Sequence, residues 1–478
     1  MRWFDRRMVT ALLLMIGFGV PSAQGGLPAQ IDRVLQWHEL PRDGVSIWVQ
    51  RVGDPEPSLT LNADTPRNPA SVMKLFTTYA ALDILGPAYR WRTEVHVEQE
   101  PVDGRVESLW LRGFGDPFLL QEDLWRIAGG VRRAGITRID GPLILDTSHF
   151  SVDSEDPGAF DDAPWRVYNQ PPHALLVNFN AIRFHLRPEP ETGEVAVVPD
   201  PPLPGLDLTE QVRLRDGPCL GFQRGVSYHV DTERRVTVEG AYPRDCRDRF
   251  HLVRRALEPE DYLHGLFTRV WEQWDGEFTG GWRLGTWQTA DTEPLYVHES
   301  QPLGNVIRLV NKYSSNVMAR HLKLTIGAEV FDPPATVQKG NRAILDLLER
   351  HGIAEPGALH LENAAGLSRS NRVTVRQVAR LLELARQAPL MPEFVSSLSL
   401  AGLDGTARRR FSGEPAAGRM HMKTGRLNNV SSIAGYVRAE DGHDYLVAVL
   451  VNAEMAHRGP GEALQDAVLS WVFGGVPP

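Results

Sequence analysis

Ser71-Val72-Met73-Lys74 sets a hydroxyl and an amine three residues apart, and far downstream the chain holds Ser314-Ser315-Asn316 and Lys423-Thr424-Gly425. A serine hydroxyl is a poor nucleophile until a neighbouring base takes its proton. A lysine serves once burial and nearby positive charge depress its pKa. At helical spacing Lys74 lies on the same face as Ser71, within reach of its hydroxyl. Ser314 is suited to pass a proton to a leaving amine, and Asn316 to orient Lys74 and a substrate amide. Lys423 and the Thr424 hydroxyl supply donors that hold a carboxylate. Gly425 leaves room for a substrate backbone to come close. The chemistry implied is acyl transfer through a serine ester.

Particular elements must position these groups. Asn68-Pro69 reads as a helix start, with Asn as N-cap and Pro preset for the first turn. Val72, Leu75, Phe76, Tyr79, Leu82 and Leu85 then recur with helical spacing until Gly86-Pro87 stops the run. Ser71 thus falls in the first turn, where free N–H groups and the helix dipole favour developing negative charge. Lys423 falls in an alternating stretch, 419–424, that predicts a strand. A second strand follows at 430–437, and the apolar run 445–451 suits a central strand. The Ser314 segment precedes a helical pattern at 317–324.

Composition narrows the class. The chain has 478 residues, long enough for two or three domains, and is 42% hydrophobic and 23% charged. A net charge of −9 and the lack of a basic stripe argue against nucleic acid as a partner. The fifteen histidines are scattered, with no H-E-x-x-H and no paired C-x-x-C, so no metal site is indicated. Residues 1–25 read as a secretory signal: Arg2, Arg6 and Arg7, an apolar 9–20, then Ser22-Ala23. An uncleaved anchor is the alternative, although the apolar part is short for a bilayer span. In an exported chain Cys219 and Cys246 are open to one disulfide or to two separate buried thiols.

The chemistry-bearing segments belong to a split domain, 26–90 with 261–478. Between them, 91–260 is rich in short alternating strands and Pro-rich turns, with one helical segment at 124–134, and reads as a β-rich insertion of two subdomains. The flanks read as α/β, with helices at 31–40, 262–274, 303–324, 337–350 and 375–387.

The three motifs, in this order, are the signature of acyl-serine enzymes of the penicillin-binding and β-lactamase group. The chain further resembles the D-alanyl-D-alanine carboxypeptidases/endopeptidases of the type-4 penicillin-binding protein family (low-molecular-mass class C). That resemblance rests on Gly113-Phe114-Gly115-Asp116-Pro117, on 174–180, on Gly366-Leu367-Ser368-Arg369 with Asn371-Arg372, on Gly402-Leu403-Asp404-Gly405-Thr406, and on the large insertion. Two departures stand out: Ser315 replaces the family's usual Asp, and Asn363-Ala364-Ala365 replaces a D-G-S or N-G-S segment.

The resemblance implies an α/β (α+β) transpeptidase/β-lactamase-like domain and hydrolysis of peptidoglycan stem peptides in the periplasm. No cofactor and no stable transmembrane anchor are expected, and β-lactams become covalent inhibitors. It makes Ser71 the nucleophile, with the backbone N–H groups of Ser71 and Arg426 as oxyanion donors. It also assigns Asp116 and Arg369 to the diaminopimelate side chain of the substrate. A serine β-lactamase or esterase on the same scaffold, and a non-catalytic peptidoglycan- or β-lactam-binding module, are the competing readings.

Overall fold

The computed structural model describes residues 26–476 apart from 153–154, 190, 220, 222–224, 233, 248–249, 289–291 and 355–358. The expected signal, 1–25, lies outside the described residues. The catalytic part is built on a six-stranded antiparallel sheet. Its order is Ser399–Leu400, Met420–Leu427, Val430–Arg438, Asp444–Asn452, Val45–Arg51 and Leu59–Leu61.

The apolar run at 445–451 is continuous because both faces of this sheet are covered. Strand periodicity then sorts it in two. Tyr445, Val447, Val449 and Val451 pack with helices Ala29–Trp37 and Pro460–Phe473 on one face. Leu446, Ala448 and Leu450 face the larger core, built by helices Lys74–Leu85, Leu303–Lys312, Asn316–Phe331, Val337–Arg350 and Val375–Gln387. The helix Lys74–Leu85 is buried on every side over 74–82, so it is a core helix rather than an amphipathic surface one.

Chain punctuation explains several boundaries. Gly86 at φ 79° stops the Lys74–Leu85 helix. Thr374 and Gln377 form a reciprocal capping box at the start of Val375–Gln387. The continuous helix expected at 303–324 is instead two, Leu303–Lys312 and Asn316–Phe331. Ser314 between them adopts φ 59°, which an α-helix cannot contain.

The inserted elements share a second core. It joins a six-stranded sheet (Ile182–Glu189, Glu194–Asp200, Leu208–Arg215, Val226–Val230, Val236–Pro243, His251–Arg254) to a five-stranded sheet that includes Arg92–His96, Leu109–Gly113 and Leu143–Asp146. Helices Gln121–Arg133 and Pro259–Gln273 pack in this core. Strands Trp282–Leu284 and Tyr296–Glu299 pair with Leu143–Asp146 and Arg92–His96. The boundary expected at 260 therefore falls inside this packing, because Tyr262, Phe267 and Trp271 bury against inserted strands rather than against the catalytic helices. Cys219 and Cys246 are joined as a disulfide within the insertion. No helix among the described residues is long and apolar enough to cross a membrane.

Candidate active site

Asn68 steers the chain into the serine turn. Its N–H donates to Asn452 Oδ1 (2.8 Å), its Nδ2 to the Ser368 carbonyl (2.8 Å), and its Oδ1 accepts from the Ala70 N–H (2.9 Å). Ala70 adopts φ 45°, and a 3₁₀ turn, Ala70–Met73, precedes the α-helix. Ser71 thus sits in a tight turn and Lys74 is the first α-helical residue. Asn68 caps that turn, not the α-helix expected from the sequence.

Two glycines admit the turn. A Cβ on Gly366, itself at φ 82°, would lie 2.0 Å from the Ala70 carbonyl oxygen and 2.9 Å from Ser71 N. A Cβ on Gly425 would lie 2.3 Å from Ser432 Oγ, 2.7 Å from the Pro69 oxygen and 2.9 Å from Ser71 N. Gly425 is therefore bare first to let the serine turn dock on the strand. The Ser432 hydroxyl, which donates to the Pro69 carbonyl (2.6 Å), secures the same junction.

Lys74 is fully buried, and its Nζ lies 3.0 Å from Ser71 Oγ. The same Nζ donates to Asn316 Oδ1 (2.7 Å) and to the Ala365 carbonyl. Burial, and next the charge of Lys423, hold its pKa well below the ordinary lysine value. Lys423, also fully buried, donates to Ser314 Oγ (2.9 Å) and to the Thr424 carbonyl (2.8 Å), and burial brings its pKa down to about 7. Ser71, Lys74 and Asn316 thus form one hydrogen-bonded group, and Ser314 and Lys423 a second. Ser71, Ser314, Thr424, Gly425 and Arg426 border a common cleft of 330 Å³.

Supporting contacts hold these groups. Ser315 Oγ accepts from Met318 N (3.3 Å) and caps the Asn316–Phe331 helix, a job the family's Asp would do equally well. The Thr424 hydroxyl donates to Thr406 Oγ1 (2.7 Å). Thr406 is carried by a loop that Asp404 pins, through an ion pair to Lys312 (2.6 Å) and an oxygen that accepts from Leu400 N (2.7 Å). Thr406 and the Ala365 carbonyl were absent from the expected site. The motif 402–406 pointed to the first, but nothing in a side chain announces a carbonyl contact.

The two residues expected at the substrate side chain make different contacts. Asp116 is 3% exposed, and its carboxylate accepts from the Phe118 N–H (2.8 Å). Burial raises its pKa to about 7. Among the described residues, no hydrogen bond or ion pair joins it to Arg369. The G-x-G-D-P segment is a packing joint: a Cβ on Gly113 would meet the Ala174 carbonyl at 2.3 Å, and one on Gly115 the Phe150 ring at 2.0 Å. Arg369 instead lies over the Phe160 ring (4.6 Å), in a pocket of 460 Å³ shared with Glu155, Asp156, Lys323 and Glu362. Among the described residues, no group of three or more His, Cys, Asp or Glu is placed to hold a metal ion.

The chain is similar to several known proteins. A D-alanyl-D-alanine carboxypeptidase of Actinomadura sp. (strain R39) is 33% identical over 84% of this chain and 76% of its own length. D-alanyl-D-alanine carboxypeptidase DacB of Haemophilus influenzae is 25% identical over 82% and 81%. The crystal structure of penicillin binding protein 4 from Haemophilus influenzae superposes with a TM-score of 0.77 at 24% identity, covering 93% of this chain and 99% of that one. A β-lactam complex of that protein gives a TM-score of 0.74. The D-Ala-D-Ala carboxypeptidase 3 (S13) family matches residues 27–471, and the chain belongs to that family.

Proposed function

We propose that this D-Ala-D-Ala carboxypeptidase cleaves peptidoglycan stem peptides through an ester on Ser71. One observation carries the reading: a fully buried lysine of depressed pKa lies 3.0 Å from the Ser71 hydroxyl. Neutral Lys74 removes the Ser71 proton as Oγ bonds to the carbonyl carbon of the penultimate D-alanine. Negative charge on the carbonyl oxygen meets the N–H groups of Ser71 and Arg426. The C–N bond then breaks, and the Ser314 hydroxyl protonates the departing amine, its own proton being replaced from the lysine pair. Water adds to the acyl carbon, Lys74 takes its proton, and Ser71 Oγ leaves and is reprotonated. The sum is one amide and one water converted to a carboxylate and an ammonium group.

Charged Lys423 and the Thr424 hydroxyl hold the carboxylate of the leaving residue. Arg369, with Glu155 and Asp156 in place of the buried Asp116, receives a substrate side chain bearing both an ammonium and a carboxylate, as diaminopimelate does. β-Lactams acylate Ser71 in the same way, a reading supported by the β-lactam complex of the Haemophilus influenzae protein. The chain acts outside the inner membrane, in the periplasm, following its N-terminal leader.

The test is intact-mass measurement after incubation with a fluorescent penicillin, followed by time-resolved loss of label. Wild type is expected to gain one adduct and release it slowly. Ser71→Ala gains none, and Lys74→Ala acylates at least a hundredfold more slowly. Label retained by Ser71→Ala overturns the assignment, and rapid turnover of the adduct would make the chain a β-lactamase.

A further inference from the structure

Which way the Asn316 amide faces decides whether Lys74 can act as a base. A neutral lysine has two N–H groups and one lone pair. In Lys74 the N–H groups go to Asn316 Oδ1 (2.7 Å) and to the Ala365 carbonyl, which leaves the lone pair for Ser71 Oγ at 3.0 Å. That aim holds only while the amide presents its oxygen. Turned over, it would offer its NH2 to Lys74 and occupy the lone pair instead. The other end of the amide meets the insertion, because Asn316 Nδ2 donates to the Tyr168 carbonyl (3.4 Å). Turning the amide over would set oxygen against oxygen there, so the Tyr168 carbonyl selects the working orientation.

Tyr168 lies in a short turn, Val167–Asn169, that packing alone does not hold. Val167 and Tyr168 border an apolar hollow of 480 Å³ shared with Phe118, Phe179, Tyr313 and Met318, and Tyr168 is exposed. Hydrogen bonds hold the turn instead. Asp161, at the surface, accepts from the Tyr168 hydroxyl on one carboxylate oxygen (2.7 Å) and from Asn169 Nδ2 on the other (2.8 Å). At the far end of the segment, buried Gln170 accepts from Asn180 Nδ2 (3.1 Å), which also donates to the Leu257 carbonyl (2.8 Å). Asn180 closes a run of three left-handed residues, 178–180, with φ of 49°, 57° and 54°. A phenylalanine such as Phe179 takes that conformation only where its surroundings impose it. Asn178 imposes it, accepting from Gln121 N (2.9 Å) and donating to the Tyr262 hydroxyl (3.1 Å). The stretch 161–170 is thus gripped at both ends, by Asp161 and by the asparagines of 174–180.

We infer that Asp161 is a positioning residue for acylation: by clamping Tyr168 and Asn169 it sets the carbonyl that orients Asn316, and through Asn316 it aims the lone pair of Lys74 at Ser71. The inference rests on the acyl-transfer reading above. Asp161 does not border the Arg369 pocket or the Ser71 cleft, so it acts through Asn316 and not on the substrate. The insertion thereby reaches the proton-transfer step through one backbone oxygen.

The experiment measures the second-order rate of acylation by fluorescent penicillin, which carries no diaminopimelate side chain and so leaves the Arg369 pocket out of the comparison. Asp161→Ala is expected to acylate about tenfold more slowly at an unchanged urea midpoint. Asp161→Asn, which keeps an oxygen and adds a donor for the same two partners, is expected to stay within about threefold of wild type. A residue acting through Asn316 adds nothing once Asn316 is gone. The double variant Asp161→Ala/Asn316→Ala is therefore expected to match Asn316→Ala within about twofold. A wild-type rate in Asp161→Ala, or a further tenfold loss in the double variant, overturns the inference. So does a loss that follows a lowered urea midpoint and that Asp161→Asn does not restore. Where Asn316→Ala labels too slowly to measure, the rescue by Asp161→Asn at an unchanged midpoint decides. Should Asp161→Ala fail to fold, Tyr168→Phe, which removes one of the two bonds to Asp161, takes its place with an expected loss of about threefold or more. If wild type takes no label, or Ser71→Ala keeps it, the underlying acyl-transfer reading fails instead.

Discussion

Two buried lysines divide the electrostatic work around Ser71. Burial, and next the charge of Lys423, depress the Lys74 pKa, and its Nζ lies 3.0 Å from Ser71 Oγ, which is the placement the proposed base needs. Lys423, whose pKa burial brings down to about 7, is the lysine proposed to face a carboxylate. For substrates ending in a free carboxylate, kcat/KM is therefore expected to fall as pH rises through about 7, while an amidated analogue keeps its rate. Identical profiles for the two would remove Lys423 from carboxylate binding. The same lysine links folding to pH. Its folded pKa lies below the ordinary 10.5, so between about 7 and 10.5 the unfolded chain binds more protons and stability rises with pH. Lys423→Met is expected to flatten that rise in urea titrations, and an unchanged slope would show that Lys423 does not titrate in this window.

The serine turn is clamped between a strand and a loop, and both surfaces are glycine where they touch it. Gly366→Ala is expected to cost acylation at least about tenfold and to lower the melting temperature, since its new Cβ would strike backbone at 2.0 Å from a φ of 82°. Normal acylation kinetics in that variant would mean that the loop yields freely and does not hold Ser71. Here the limits of legibility are physical. Ser71, Lys74, Ser314, Asn316 and Lys423 stood out because their side chains carry the chemistry and their order is distinctive. The strands at 430–438 and 444–452 were visible because apolar runs and alternation are local signals. The break at Ser314 was hidden because its φ of 59° is imposed by the junction of two packed helices, not by a residue that prefers it. Strands Leu208–Arg215 and Val226–Val230 carry little sequence signal because one is largely polar and the other short and only partly buried. The burial of Asp116 was hidden for a related reason: a buried turn carboxylate and a substrate-facing one look alike in sequence.

At the scale of the molecule, the insertion and the catalytic part have separate cores, so damage to one is expected to leave the other partly intact. Cys219 and Cys246, 27 residues apart, cross-link the insertion alone. Replacing both with alanine is expected to destabilise it by about 3 kcal/mol, read from urea midpoints with and without reductant, while penicillin acylation keeps its rate. A matching loss of acylation would show that the disulfide-bonded part of the insertion also shapes the Ser71 cleft. The catalytic sheet has a different character, because Val45 pairs with Val451 and Arg51 with Tyr445. Its centre is stitched from opposite ends of the chain, the costliest kind of contact to close. A ribosome or a translocation pore delivers the first of these strands long before the last. During that interval the insertion, whose partners are all nearer in sequence, has everything it needs to fold, while Ser71 has no sheet to dock on. A chain stopped before residue 444 is therefore expected to carry a compact insertion and no penicillin label. The enzyme is armed only when its final strand arrives, which makes acylation a clock for the completion of the whole polypeptide.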